Sequence, residues 1–474
     1  MRKTLRRSCD ACAKSKLSCD LLTPRCSRCI KRKVTTCVYA NEPLSTALAE
    51  RPATAYSDVF PGPENVSRKF SSDNAMTLYI PRTPCFDPFD SYPTTRLSRT
   101  RVQQLIQHFL SNIAFQYYPL DLQMSTNPFV VSWWPLALQD PALFHVSLQT
   151  ASLDIELRAQ NGFSNSDILM AVSVSLVRQR VEAPLLASRD ETIDSVVTLA
   201  AIEFGKGNTA VGNMHINGVK RMVQMRGGIH QLKLTSPLTA RMVAWVSLIL
   251  MQSPQFDAQN DLMVGDGISP IPQWPVTMAT QDQLPSYLSD LNLDPRVSDI
   301  FFRLRNLFRA SQPDSLPSTD LHDLTCFVLH KLLAWCPQPT ETDCSGILAT
   351  SQCVRYAAAL YMLIIHGPTY FSHAHLQSNM VLQLRTYLED IMTSISVYHG
   401  PLAIWILLIG MVASENTSDW HWYAIRITVL AEQLHVCAWE DVLPCLEGVL
   451  WFREPRTEQI FKHRWAEAWT LSAP

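Results

Sequence analysis

The chain has 474 residues, 47% hydrophobic and 17% charged, a composition that excludes disorder over most of its length. Glycine is scarce at 15 residues, which disfavours a turn-rich all-β fold, and many of the 30 prolines cluster in a few stretches. The net charge of −2 hides a division: residues 1–40 carry eleven basic and two acidic side chains, and the remainder is net negative by eleven. A basic head on an acidic body suits a head that meets a polyanion.

The opening MRKTLRRSCD is basic with no apolar run behind it. No secretory signal is expected there, and the thiols are expected to stay reduced. Six of the thirteen cysteines then follow within forty residues: Cys9, Cys12, Cys19, Cys26, Cys29 and Cys37, spaced C-x2-C-x6-C-x6-C-x2-C-x7-C. Two C-x2-C pairs in a reducing compartment point to zinc. Six thiolates can serve one tetrahedral zinc with two left over, or two zincs if two thiolates bridge. An internal repeat favours two. CDACAKSKLSC and CSRCIKRKVTTC both read C-x2-C-x-K-x-K and then a cysteine, with Lys14 matching Lys31 and Lys16 matching Lys33. Two equivalent halves imply two equivalent metals, with the first cysteine of each half as the natural bridge. A short helix is expected after each C-x2-C pair, its lysines outward.

These residues resemble the fungal zinc binuclear cluster (Zn2Cys6) transcription factors. All six cysteines fit, Pro24 stands in the linking loop, and Leu17 holds the apolar position before Cys19. The resemblance implies two Zn2+ ions bridged by Cys9 and Cys26. It also implies a first helix in the DNA major groove, reading bases at Ser15 and Lys16 with Lys14 beside them. One departure stands out: Ala13, Ser15 and Ser18 occupy positions where the family commonly carries basic residues. Phosphate contacts are therefore expected from Arg6, Arg7, Lys31, Arg32 and Lys33. For Lys3, Arg6 and Arg7 a nuclear import signal or plain solubility are equal readings.

Between residues 41 and 95 prolines recur at Pro43, Pro52, Pro61, Pro63, Pro81, Pro84, Pro88 and Pro93 among small polar residues. This composition predicts a flexible linker. LSTALAE is too short for a coiled coil before Pro52 intervenes, so no coiled-coil dimer is expected from it.

From residue 96 to 474 apolar residues recur at three- and four-residue spacing, with Gly or Pro at the ends of segments. Thirteen segments fit helices, among them RVQQLIQHFLSNIAFQYY, RDETIDSVVTLAAIEF and WHWYAIRITVLAEQLHV. The fold expected is all-α: a small zinc head, a linker and a large multi-helix body. AIWILLIGMVA and AAALYMLII fall short of the ~20 residues of a membrane helix and read as core, so no membrane partner is expected. In MHINGVKRMVQMRGGIHQL, Met214, Val219, Met222 and Val223 predict an apolar face, and Gly227 and Gly228 a left-handed stop. Its H-x-x-G-x-x-R-M-V-x-x-R-G-G pattern, FDPFDSYP and the tryptophans near the C-terminus resemble the regulatory domain of the same fungal factors. His215 and Arg226 are read there as structural.

No complete catalytic motif is found. FGKGNTAVG lacks the spacing of a phosphate loop and reads as a helix connection, and SHAH at 372–375 is a weak metal candidate. The seven other cysteines lack zinc spacing, and most of them read as core thiols. The chain is therefore expected not to be an enzyme. The reading is a nuclear, sequence-specific RNA polymerase II transcription regulator that binds double-stranded DNA at G·C-rich, CGG-type sites. Its partners would be the transcription machinery or co-regulators, with a small-molecule effector held between helices of the body. By analogy it would control a metabolic or biosynthetic gene set. The alternative is a zinc-stapled nuclear scaffold with non-specific DNA affinity.

Overall fold

The computed structural model describes residues 10–15, 27–32, 92–160, 162–260, 263–276, 285–310, 316–335, 345–391, 400–415 and 417–472. The linker reading, and with it the coiled-coil reading, falls almost wholly outside them. The chain divides into two compact units, Met1–Pro61 and Gly62–Pro474. The first holds two short helices, α1 (Asp10–Lys14) and α2 (Ser27–Lys31). Among the described residues of the second no strand forms, only one isolated bridge between Ala258 and Ile268.

The body opens with Tyr92, whose ring stacks on Phe144 at 5.7 Å. Next come α3 (Arg99–His108), a π-helical turn at Phe109–Ile113 and α4 (Ala114–Tyr117). A second π-helical turn at Phe129–Trp133 leads into α5 (Trp134–Gln139). The first layer is completed by α6 (Pro141–Ala159), α7 (Ser164–Val181), α8 (Pro184–Ala187), α9 (Asp190–Gly205), α10 (Thr209–Met225), α11 (Ile229–Thr235) and α12 (Pro237–Met251). Asp140 starts α6: its carboxylate accepts from the Leu143 N–H at 2.9 Å, with Pro141 in the first turn where no donor is needed. At the other end of α6, Gln160 takes a left-handed φ of 52°. Within this layer α9 is buried without a break from Thr192 to Glu203, packed by α6, α10 and α12.

The second layer holds α13 (Ser286–Ser289), α14 (Pro295–Ala310), α15 (Ser318–Ala334), α16 (Ser345–His366), α17 (Ala374–Ile391), α18 (Gly400–Ala413), α19 (Asp419–Leu434), α20 (Trp439–Val449) and α21 (Pro455–Ser472). In α18 the residues from Leu402 to Ala413 are all buried, so the helix is apolar on every side and must lie at the centre. It packs on α16, α17, α19, α20 and α21. Trp405 of α18 donates its indole N–H to the Leu450 carbonyl at 2.7 Å, and the Phe452 N–H donates to the Tyr361 hydroxyl at 2.8 Å. These bonds satisfy polar groups that burial removes from bulk water.

Most expected helices are present. The sequence reading missed α21, although its buried Phe461, Trp465 and Ala468 follow helical spacing. The membrane-length expectation also needs correction. Leu348–His366 in α16 is 19 residues long and apolar enough to cross a bilayer by length and composition. It is 78% buried in the body, between α14, α15, α17 and α18, and so serves as core. Cys326 and Cys353 are buried thiols as expected, whereas Cys437 is exposed.

Tyr423 of α19 crosses α18 at Gly410 and donates to the Val381 carbonyl of α17 at 3.0 Å. A Cβ at Gly410 would stand 2.2 Å from the Tyr423 ring. Gly410→Ala should therefore force α19 outward and destabilise the chain by about 1–3 kcal/mol, read as a lower urea midpoint. An unchanged midpoint would mean that this crossing does not hold α19 in place.

Candidate zinc centre and nucleic-acid interface

The head's two helices are built alike. Each has five residues, with cysteine third and lysine fifth: Asp10-Ala11-Cys12-Ala13-Lys14 and Ser27-Arg28-Cys29-Ile30-Lys31. Each continues one residue further through an equivalent bond, Ser15 N to Ala11 O at 3.2 Å and Arg32 N to Arg28 O at 3.0 Å. The helices thus begin inside the C-x2-C pairs and carry the second cysteine, rather than following the pair as the sequence had suggested. Cys12 and Cys29 are both fully buried, and their sulfurs lie 4.0 Å apart. That is about twice a disulfide bond. The two helices thus bring their cysteines together without a disulfide joining them.

Outside that sulfur pair the surface is basic. Lys14, Ser15, Arg28, Lys31 and Arg32 are exposed, and among the described residues no acid pairs with these four cations. Lys14 and Lys31 end their helices, where a cation complements the backbone dipole. Cys9, Cys19, Cys26, Cys37, Arg6, Arg7, Lys16 and Lys33 lie outside the described residues.

In the body, the stretch from Met214 to Leu232 forms most of α10 and the first four residues of α11, broken by Gly227 and Gly228 at φ 89° and 95°. Met214 is exposed, which removes it from the expected apolar face; Gly212, Ile216, Val219, Met222 and Val223 form that face instead. Arg226 is a structural clamp. It donates to the Ser188 carbonyl at 2.8 Å, Asp190 at 2.6 Å, Thr235 at 2.9 Å and Ser236 at 3.3 Å. The FGKGNTAVG stretch connects α9 to α10, and Lys206 pairs with Asp167. In SHAH, His373 is buried and His375 exposed, so they do not converge. Among the described residues no group of three or more His, Cys, Asp or Glu could hold a metal ion.

Sequence reading did not find the body's buried polar centre, because its members come from four separate segments. Asp323 of α15 takes two bonds from Arg241 of α12, at 2.8 and 3.0 Å, and one from Lys233 of α11 at 3.1 Å. Burial pushes the Asp323 carboxyl up, but these cations outweigh it and hold it below the usual range. Next to it, His322 Nδ1 and His366 Nε2 share a 2.9 Å hydrogen bond, and Trp245 stacks on His366 at 4.1 Å. Beside the ion cluster lies a small cavity of about 20 Å³, room for a water molecule, lined by Ile229, Lys233, Arg241, Ile268 and Cys326.

Burial lowers His322, His330 and His373 to about 4, and lowers His366 as well. Asp323 partly opposes burial at His322, while Arg241 and Lys233 add to it. In the unfolded chain these histidines bind protons near 6.5. Between about pH 6.5 and 4 the unfolded state therefore holds more protons, and stability falls as pH falls, by up to about 1.4 kcal/mol per unit per histidine. Melting temperature should be flat above pH 7 and drop steeply towards pH 5. His322→Gln with His373→Gln should flatten that slope; an unaltered slope would place the titration elsewhere.

Two families match the chain. The fungal Zn(2)-Cys(6) binuclear cluster domain matches residues 7–46, and the fungal specific transcription factor domain matches residues 104–435. No curated protein and no solved structure matches it. The cluster domain accounts for the twinned cysteine helices, and the second family spans the body from α3 to the end of α19. The chain belongs to the fungal specific transcription factor family, as a zinc- and DNA-binding regulator of transcription.

Proposed function

We infer that the chain is a nuclear RNA polymerase II regulator whose head holds two zinc ions on Cys9, Cys12, Cys19, Cys26, Cys29 and Cys37. Cys9 and Cys26 bridge them. The observation that carries this reading is the pair of matched five-residue helices whose buried sulfurs meet at 4.0 Å. Zinc supplies the folding energy of a unit too small for a core of its own. Two Zn2+ against six thiolates leave the head with about seven positive charges. These release counterions from DNA and give affinity that weakens steeply with salt.

Base reading falls to Ser15, which follows α1, and to Lys16. Lys14, Arg6, Arg7, Lys31, Arg32 and Lys33 hold the phosphates. A lysine on a guanine edge discriminates by roughly 1–3 kcal/mol, which suits a G·C-rich, CGG-type half-site. The genes controlled would be a metabolic or biosynthetic set. A small-molecule effector would be held between helices of the body.

Three measurements test this. Cys9→Ser or Cys26→Ser should lose both zincs and the fold of the head; full zinc content by elemental analysis would contradict the ligand set. Selection from a random DNA pool with zinc-loaded chain should recover CGG-type sites. Lys16→Ala should blur that preference more than it lowers overall affinity. Binding with no consensus but a steep salt dependence would favour the scaffold reading, in which charge holds DNA without reading it.

A further inference from the structure

Arg305 of α14 is 2% exposed. A guanidinium stays charged when buried, and there it needs an anion or a full set of acceptors. Other arginines of the body meet that need with carboxylates. Arg303, two residues earlier and 7% exposed, donates to both oxygens of Asp299 at 2.9 and 3.0 Å. Arg241 donates to both oxygens of Asp323. Arg305 instead sends Nε and Nη2 to one acceptor, the Gly448 carbonyl in the last turn of α20, at 3.2 and 3.1 Å. That fork caps α20, yet it uses two of five N–H groups. Among the described residues Nη1 has no acceptor.

The groups around this edge are cationic or neutral. Arg309 lies one turn further along α14, on the same face, and is exposed. Tyr287 of α13 brings its hydroxyl to the same turn of α20. A Cβ at Gly448 would stand 2.5 Å from that hydroxyl, and the φ of this glycine is not left-handed, so the close approach is what requires it. Cys445, three residues earlier on α20, is half-buried. Burial pushes the Tyr287 hydroxyl and the Cys445 thiol up, so both stay neutral. Burial and then Arg309 push the Arg305 guanidinium down, and Tyr287 opposes them.

The acids of the neighbouring helices are engaged elsewhere. On α20, Glu447 pairs with Arg453, Glu440 with Lys462, and Asp441 accepts the Ala438 N–H. On α15, Asp320 and Asp323 act on Arg241. Helix α16, which also packs on α14, contains no acid. Asp290, just after α13, is exposed, and among the described residues no carboxylate pairs with Arg305 or Arg309. Two helix C-termini meet here, those of α14 and α20, each equivalent to about half a negative charge. Set against two guanidiniums they leave about one positive charge, which a single oxyanion neutralises.

We propose that Arg305 and Arg309, at the last turn of α20 beside Tyr287, bind the oxyanion of a small acid, a carboxylate or a phosphate. Charge-assisted bonds from a buried guanidinium are stronger than the same bonds at the surface. Arg305 is the anchor, and the exposed Arg309 marks the side open to solvent. The proposal gives a chemical class to the effector of the preceding reading, and it rests on that reading for its regulatory meaning alone.

The zinc-loaded full chain is titrated calorimetrically with inorganic phosphate and, separately, with succinate, each against sodium chloride of equal ionic strength. At least one of the two should saturate where chloride does not. The tighter one names the source, phosphate a phosphorylated compound and succinate an organic acid. Arg309→Gln, a surface change that should leave the melting temperature in chloride unaltered, should weaken that anion about tenfold. Arg305→Met should abolish binding, and Arg305→Lys, which keeps the charge and loses the fork, should restore only part of it. Cys9→Ser should lose DNA binding and keep the anion. Affinity unchanged in Arg309→Gln, or lost in Cys9→Ser, would assign the anion to another site and overturn the proposal. An equal response to all three salts would overturn it as well and leave Arg305 as a helix cap. Saturable binding that leaves DNA affinity unchanged would keep the site and remove only its role as an effector site.

Discussion

A helix with no polar side must be enclosed on every side, and α18 imposes that condition on the second layer of the body. From Leu402 to Ala413 nothing in it can face water, so α16, α17, α19, α20 and α21 are drawn around it. The enclosure then creates polar obligations, because backbone carbonyls and indole nitrogens are carried inside with the apolar surface. Trp405 on the Leu450 carbonyl, Tyr361 on the Phe452 N–H and Tyr423 on the Val381 carbonyl meet three of them. Each bond joins segments distant in sequence. The polar pairs that burial requires are therefore also what orients the helices that bury.

Head and body solve the stability problem by different means. About forty residues cannot enclose a sufficient apolar core, so the head relies on thiolates and metal, and its helices are only five residues long. The body buries whole helices against one another. This division explains the charge split. A metal-held head can expose its cations, since no core depends on neutralising them, and exposed cations are what DNA requires. In the body, by contrast, Lys233 and Arg241 are drawn onto Asp323, where burial makes an unpaired charge costly.

The head was legible in the sequence because its chemistry is local: C-x2-C-x-K, given twice, places cysteine and lysine on each helix at the same register. Among the described residues of the head the helix start was misplaced, by the few residues that separate the two cysteines of a pair. Helices of the body were legible wherever apolar residues repeat, as in α6, α9 and α18. Segments interrupted by charge escaped, as α21 did with Lys462, His463 and Arg464 between its buried Phe461 and Trp465. The polar centre could not have been read at all. His322 and His366 are 44 residues apart, and nothing around either one announces the other. Met214 was misread for a related reason: an apolar residue at helical spacing counts towards a face, but the sequence does not say how many faces a helix has.

That last point bears on how a regulator of this kind connects its parts. On α10 the buried stripe and the exposed Met214 share one rod, and the stripe is fixed by α9, which is itself packed by α6 and α12. Helix α12 touches α15, where Asp323 gathers Lys233 and Arg241 from the helices on either side of Ser236. Arg226 closes the same circuit from the other end, through Ser188, Asp190 and Thr235. A displacement of α11 would therefore strain two ionic clusters at once, one beside the small cavity at Lys233 and one at the end of α10. Close-packed helices move as discrete bodies rather than bending by degrees. One short helix, Ile229–Thr235, thus carries a charged anchor at each side of it.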